Sequence, residues 1–171
     1  MKEERTLLNK SASEDYDFVD RPLDFTGEAG ATALVCEPDP SVRTKICDGL
    51  KEMGYRISTP ASAEDALNAM RFHIFDVVVL DELFDTEDPK TNTVLSYLEN
   101  MAMAIRRRFF VALVSRTCRT MDKMAAFCRS VNIVINIQSI DNVAKIIKLG
   151  VADNRAFYHI FQETLTKMGK V

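Results

Sequence analysis

The stretch that most constrains the fold is FDVVVLDE, residues 75–82. Four consecutive apolar residues, Val77 to Leu80, leave it no polar face. A run without polar alternation predicts a strand that is buried on both sides, as in a parallel sheet covered by helices. The run ends at Asp81 and Glu82, so a carboxylate is expected at the C-terminal edge of the strand, where open α/β sheets bind ligands. From this stretch alone, a solvated loop acid is an equally good interpretation of Asp81.

Charge and cysteine usage limit the classes of function. The 171 residues carry 22 Lys and Arg against 25 Asp and Glu, a formal net charge of −3. This balance gives no support for binding to nucleic acid or to a membrane surface. No apolar stretch approaches the ~20 residues of a membrane span, and the charged N-terminus lacks the apolar core of a signal peptide. The four cysteines, Cys36, Cys47, Cys118 and Cys128, form no CxxC pair. We therefore expect reduced thiols in a cytoplasmic protein.

The chain divides into three parts by composition. Residues 1–30 hold eight acidic and four basic side chains, a net charge of −4, which favours disorder. They also hold an apolar cluster around Pro22 that is either part of a loose tail or a docking strip for the folded body or a partner: Tyr16, Phe18, Val19, Leu23 and Phe25. Residues 31–150 are expected to form one domain, and residues 151–171 an additional C-terminal helix.

Within residues 31–150, short apolar runs alternate with helical patterns. Strands are expected at 33–36, 56–58, 77–80, 109–114 and 131–137, and helices at 41–53, 63–72, 93–108, 121–129 and 141–149. Gly150 is expected to end the fifth helix, and a separate helix should cover 154–168. Strict alternation of five strands and helices predicts an α/β fold, a flavodoxin-like doubly wound parallel sheet in the order 2-1-3-4-5.

Four segments resemble the receiver domain of two-component response regulators. They are LVCEPDPSVR (34–43), FDVVVLDELF (75–84), VALVSR (111–116) and NIVINIQSIDNV (132–143). The resemblance places Asp81 at the phosphoacceptor position, Glu37 and Asp39 among the acids after the first strand, and Ser115 at the hydroxyl that contacts the phosphoryl group. In that family, clustered carboxylates hold Mg²⁺ and a Lys adds a second cation.

The sequence departs from the family pattern at three positions. Pro38 replaces one metal-binding acid, Asn136 stands at the Lys position, and Asp85 stands where a Pro is usual. Each lost charge plausibly removes a few kcal/mol of transition-state stabilisation. The resemblance is therefore to a degenerate receiver, a pseudo-receiver, with no catalytic residues and no metal or other cofactor.

Arg116 supports this interpretation, because receivers usually have a small residue after the Ser. A guanidinium there either points into solvent or reaches Glu37, Asp39 or Asp81 and neutralises them without metal. If Arg116 does not reach these carboxylates, their mutual repulsion should raise the pKa of one of the three carboxyl groups.

The sequence thus predicts a non-enzymatic signalling module that binds a protein partner independently of phosphorylation. The alternative is a working response regulator, phosphorylated on Asp81 by a histidine kinase with Mg²⁺. The run Arg106–Arg108 is expected to be a solvated helix end, although a contact with DNA would use the same residues. In the last helix Phe157, Ile160, Phe161 and Leu165 form an apolar stripe that must either fold back on its own domain or join a second subunit, and we favour a homodimer.

Overall fold

The computed structural model describes residues 30–169. The predicted N-terminal extension, with its apolar cluster around Pro22, lies outside these residues except for Gly30.

The strands form one parallel sheet in the predicted order. They are β1 (Thr32–Cys36), β2 (Arg56–Ser58), β3 (Val77–Asp81), β4 (Phe110–Ser115) and β5 (Ile133–Asn136). Neighbouring strands pair in the order β2-β1-β3-β4-β5, and all the pairs are parallel. Every residue of β3 is buried, because helices cover both faces of this central strand. The predicted fold class is confirmed.

Helices lie on both faces of the sheet. They are α1 (Pro40–Glu52), α2 (Ala63–Phe72), α3 (Thr93–Asn100), α4 (Met103–Arg106), α5 (Lys123–Cys128) and α6 (Val143–Lys167), with 3₁₀ turns at Pro89–Thr91 and Ile137–Asn142. One buried cluster joins the sheet to α2, α3 and α5, and the other joins it to α1 and α6. Among residues 30–169, no helix is long and apolar enough to cross a membrane.

The expected break at Gly150 is wrong, since α6 is continuous from Val143 to Lys167. The additional C-terminal helix is present as the outer half of this single helix. A Cβ at position 150 would lie 2.7 Å from Cζ of Phe110 and 3.2 Å from Cγ2 of Ile133. The glycine therefore lets the helix approach the sheet closely, and the sequence signal of a helix stop has a packing origin.

The expectation of one helix ending in solvated arginines is also wrong. The helix α3 ends at Asn100, and the short α4 follows it. Arg106 is buried: its Nη1 donates to the carbonyl oxygen of Phe109 at 3.0 Å, and its Nη2 donates to that of Ser130 at 2.6 Å. This guanidinium joins the start of β4 to the segment before β5, so its role is structural.

Candidate functional site

Strand register places the predicted site residues at one edge of the sheet. Cys36 pairs with Leu80, and Asp81 pairs with Val114. The residues that directly follow β1, β3 and β4 therefore meet at the C-terminal edge, as expected for a parallel sheet. The fully apolar interior of β3 carries Asp81 to this edge and buries it there.

A guanidinium covers the Asp81 carboxylate. Nη1 of Arg116 donates to both carboxylate oxygens, at 2.9 Å to Oδ1 and 3.0 Å to Oδ2. The Asp81 side chain is fully buried, whereas that of Arg116 is 38% exposed. Oδ1 also accepts from the backbone nitrogen of Leu83 at 2.7 Å. Of the orientations left open for Arg116, the contact with Asp81 is the one observed, and it satisfies the buried charge from within the chain.

Two further buried polar residues fix this arrangement. Oε1 of Glu82 accepts from the backbone nitrogen of Arg116 at 2.7 Å, which holds the loop after β4 against the end of β3. Nδ2 of Asn92 donates to the carbonyl oxygens of Asp81 and Glu82 at 3.1 Å each, while its Oδ1 accepts from the nitrogen of Leu95 and begins α3. The loop that carries Arg116 is therefore anchored at its backbone as well as at its side chain.

Glu37 lies beside this pair and is almost fully buried. Its Oε1 accepts from the backbone nitrogen of Asp39 at 2.9 Å, whereas its Oε2 has no donor. The pKa of Glu37 is raised to about 7: burial is the largest cause, and the charge of Asp81 and a hydrogen bond with its carboxylate act in the same direction, against the lowering effects of the Asp39 nitrogen and Arg116. A proton on Glu37 removes the charge of a buried carboxyl group whose Oε2 accepts from no donor. Two ways of accommodating the clustered carboxylates were predicted, contact with Arg116 and a raised pKa of one carboxyl group, and the two occur together.

The side chains of the other predicted site residues form hydrogen bonds with backbone atoms. The Asp39 side chain is exposed and caps α1, accepting from the nitrogens of Ser41 and Val42. Ser115 Oγ accepts from the nitrogens of Thr117 and Cys118 at 3.2 Å. Convergence of Glu37 and Asp81 is therefore observed, but Asp39 uses its carboxylate as a helix cap.

The two other departures from the receiver pattern also have structural uses. Asn136 donates from Nδ2 to the carbonyl oxygen of Cys118 at 2.8 Å and caps the following 3₁₀ turn through Oδ1. Asp85 has a φ of 55°, which a Pro cannot adopt, and its Oδ2 accepts from the nitrogen of Ala63 at 2.8 Å. Restoring the usual Pro would require a different backbone in this loop.

The residues at this edge do not fit a magnesium ion. Pro38 supplies no side-chain oxygen, and both Asp81 oxygens accept from Arg116. In the described part of the chain, no group of three or more His, Cys, Asp and Glu side chains is placed to hold a metal ion. A cation would first have to displace the guanidinium.

Some residues of the predicted apolar stripe on the last helix face solvent, and others contact the chain's own domain. Phe157 and Ile160 are 80% and 77% exposed. Phe161 instead has the guanidinium of Arg107 4.5 Å from its ring centroid, and Leu165 is half-buried. The outer half of α6 therefore rests partly on its own domain and leaves an apolar surface in solvent.

Comparison with known proteins identifies the fold. No protein-family model and no curated protein sequence matches the chain. A receiver domain of a Francisella response regulator is 18% identical to it over 72% of this chain and 98% of its own, with a TM-score of 0.57. An orphan response regulator of Helicobacter pylori is 18% identical over 72% and 98%, with a TM-score of 0.53. The fold is that of response-regulator receivers. A CheY-like receiver domain protein of Methanospirillum hungatei is likewise 14% identical over 74% and 97%, with a TM-score of 0.55.

Sequence reasoning gave no role to Glu82 or Asn92. Glu82 directly follows Asp81, and nothing in a single sequence indicates that its carboxylate accepts from the backbone nitrogen of Arg116. A signal for the second did exist, because an Asn before the apolar positions Val94 and Leu95 is typical of a helix N-cap. Its donation to the strand end depends on the tertiary fold and has no local signature.

The raised pKa of Glu37 predicts that stability falls as pH rises. Since the folded-state pKa is about 7, against 4.5 for an accessible Glu, the folded protein keeps the proton in this window while the unfolded chain has released it. Unfolding free energy should therefore drop by about 1.4 kcal/mol per pH unit and roughly 3 kcal/mol in all. Glu37→Gln, which keeps a donor toward Asp81 without a charge, should remove this drop in urea unfolding.

Glu52→Gln is the matched control, because Glu52 is an exposed acid at the end of α1. It should retain the wild-type slope. An identical slope in Glu37→Gln and wild type would show that Glu37 is not the group that titrates.

Proposed function

We propose that this chain is a pseudo-receiver, a signalling module that acts through a protein partner independently of phosphorylation. The observation that carries the proposal is the donation of Arg116 Nη1 to both oxygens of the buried Asp81 carboxylate. This contact puts a resident cation where a receiver would place its metal and the incoming phosphoryl group. We also propose that the protein works in the cytoplasm without a cofactor.

The energetics favour a closed pocket. Exposing Asp81 to a phosphoryl donor means removing its cation, and for a fully buried pair such a loss costs about 3–5 kcal/mol. The cost here is smaller because Arg116 is partly exposed. The backbone contact of Arg116 to Glu82 opposes withdrawal of the whole loop, since that would leave a buried carboxylate oxygen unpaired. Asn136 offers no positive charge to compensate.

The alternative function is a working response regulator that is phosphorylated on Asp81. It is favoured by one observation, the position of Asp81 and Ser115 at the ends of adjacent strands β3 and β4. It requires Arg116 to swing away and Mg²⁺ to bind with fewer carboxylates than the family uses. The two functions differ in their need for Mg²⁺.

Incubation with acetyl phosphate and Mg²⁺ distinguishes the two functions. Wild-type protein should show no phosphorylated species by intact-mass spectrometry, and beryllofluoride with Mg²⁺ should leave its amide NMR spectrum unchanged. Asp81→Asn should retain partner binding. Mg²⁺-dependent phosphate incorporation that is lost in Asp81→Asn would falsify the pseudo-receiver proposal.

Two variants serve as controls for this experiment. Arg116→Ala opens the pocket without restoring ligands, and Pro38→Asp with Asn136→Lys and Arg116→Ala restores the family charges as well. Only the combined variant is expected to bind Mg²⁺. If wild type binds Mg²⁺ as well as the combined variant does, Arg116 is not the group that closes the pocket.

We further propose that the outer half of α6 joins a second copy of this chain. Phe157 and Ile160 remain in solvent, and burial of such side chains contributes about 1.5–3 kcal/mol each. An antiparallel contact centred on Ile160 is self-complementary, because it sets Asp153 of each copy opposite Lys167 of the other. At 100° per residue, both charged residues lie on the side of the helix that carries Phe157 and Ile160.

A charge exchange tests this dimer. Asp153→Lys or Lys167→Asp alone sets like charges opposite each other and should raise the dimer dissociation constant roughly tenfold or more. The double variant should restore it, and Lys148→Glu, on the exposed side of the inner half of α6, should have no effect. Sedimentation velocity across a concentration series measures the constant. A wild-type monomer throughout that series contradicts the dimer.

A further inference from the structure

A second feature of the molecule lies away from the Asp81 edge. An open cleft of about 630 Å³ lies between the outer strand β2 and helix α2. Thr32, Arg56, Ser58 and Phe72 are among the residues that line it, and the Phe72 side chain is 87% exposed. Its volume falls within the range of ligand-binding pockets, and a large apolar side chain at its rim is unfavourable in water.

The outermost strand of the sheet borders the cleft. Within residues 30–169, β2 pairs with β1 along one edge and with no strand along the other. Its other edge offers backbone donors and acceptors to an extended segment, which is the usual way in which a peptide adds to a sheet. Apolar surface and backbone hydrogen-bonding groups are therefore available side by side.

We propose that residues 16–25 of the same chain dock in this cleft. The 29 residues that precede the described part of the chain join it at Gly30, and the cleft begins two residues later, at Thr32. The carbonyl oxygen of Ala31 accepts from the nitrogen of Arg56 at 2.8 Å, so the chain enters the sheet directly beside β2. Gly30 is five positions after Phe25, an extended reach of at most about 18 Å.

The composition and charge of residues 16–25 also match those of the cleft. Residues 16–25 contain the apolar side chains Tyr16, Phe18, Val19, Leu23 and Phe25. Three acids and one base lie among them, Asp17, Asp20, Asp24 and Arg21, which gives the segment a net charge of −2, whereas the cleft presents Arg56. A short tether gives an effective concentration on the order of millimolar, so weak apolar and ionic contacts suffice to keep the segment bound.

A single tryptophan tests the docking, because the chain contains none. In the full chain, Phe25→Trp should show blue-shifted emission and several-fold weaker quenching by acrylamide than Leu8→Trp. Adding Phe72→Asp, which removes apolar surface and repels the acids, should return the emission to that of an exposed indole. Phe127→Asp is the matched control: Phe127 is 78% exposed on α5, and its substitution should change nothing.

Three results would overturn the proposal. They are protection of the indole that survives Phe72→Asp, protection that depends on protein concentration and so reports a second copy, and an exposed indole. If the indole is too large for the cleft, hydrogen exchange provides an independent test of the docking. The Ile57 amide, which strand alternation points away from β1, should exchange several-fold faster in the full chain with Leu23→Ser and Phe25→Ser than in wild type, and unchanged exchange rejects the docking.

Discussion

The structure at the candidate site depends on one constraint: a carboxylate at the end of a strand that is buried on both faces needs a cation or a proton. Helices cover both faces of β3, so Asp81 reaches the sheet edge with no exposed surface of its own. Receivers meet this constraint with Mg²⁺ and a Lys, as the sequence resemblance implies. In this chain Arg116 supplies the cation, and burial is the largest of the causes that raise the pKa of the neighbouring Glu37 to about 7.

The departures from the receiver pattern are mutually consistent around this pair. Glu82 and Asn92 hold the loops that meet at Asp81, and Asn136 ties the loop after β4 to the end of β5. Asp85 adopts a φ that excludes the usual Pro. Hydrogen bonds from these polar residues to the backbone of the same chain favour one rigid arrangement over an open site that would wait for a ligand. This consistency supports the proposed module, in which the folded surface rather than the pocket contacts a partner.

The sequence predicted the parts of this structure that follow from periodicity. The doubly buried run at Val77–Leu80 and the strand–helix alternation sufficed for the sheet order and for the edge at which Asp81 lies. Residues whose role depends on tertiary contact were mistaken or missed. Gly150 has the local signature of a helix stop, but it lies where α6 touches Phe110. Arg106 belongs to a charged run, but its guanidinium donates to the backbone carbonyls of the nearby Phe109 and the distant Ser130. No local pattern encodes such contacts.

The central claim is that Arg116 and Asp81 form a coupled pair within the folded protein. A double-mutant cycle with Arg116→Met, Asp81→Asn and the combined variant, followed by urea unfolding at neutral pH, measures that coupling directly. The account predicts an interaction free energy of about 1–3 kcal/mol, within the range typical of residues in direct contact. Additive effects of the two substitutions, with a coupling close to zero, would contradict it.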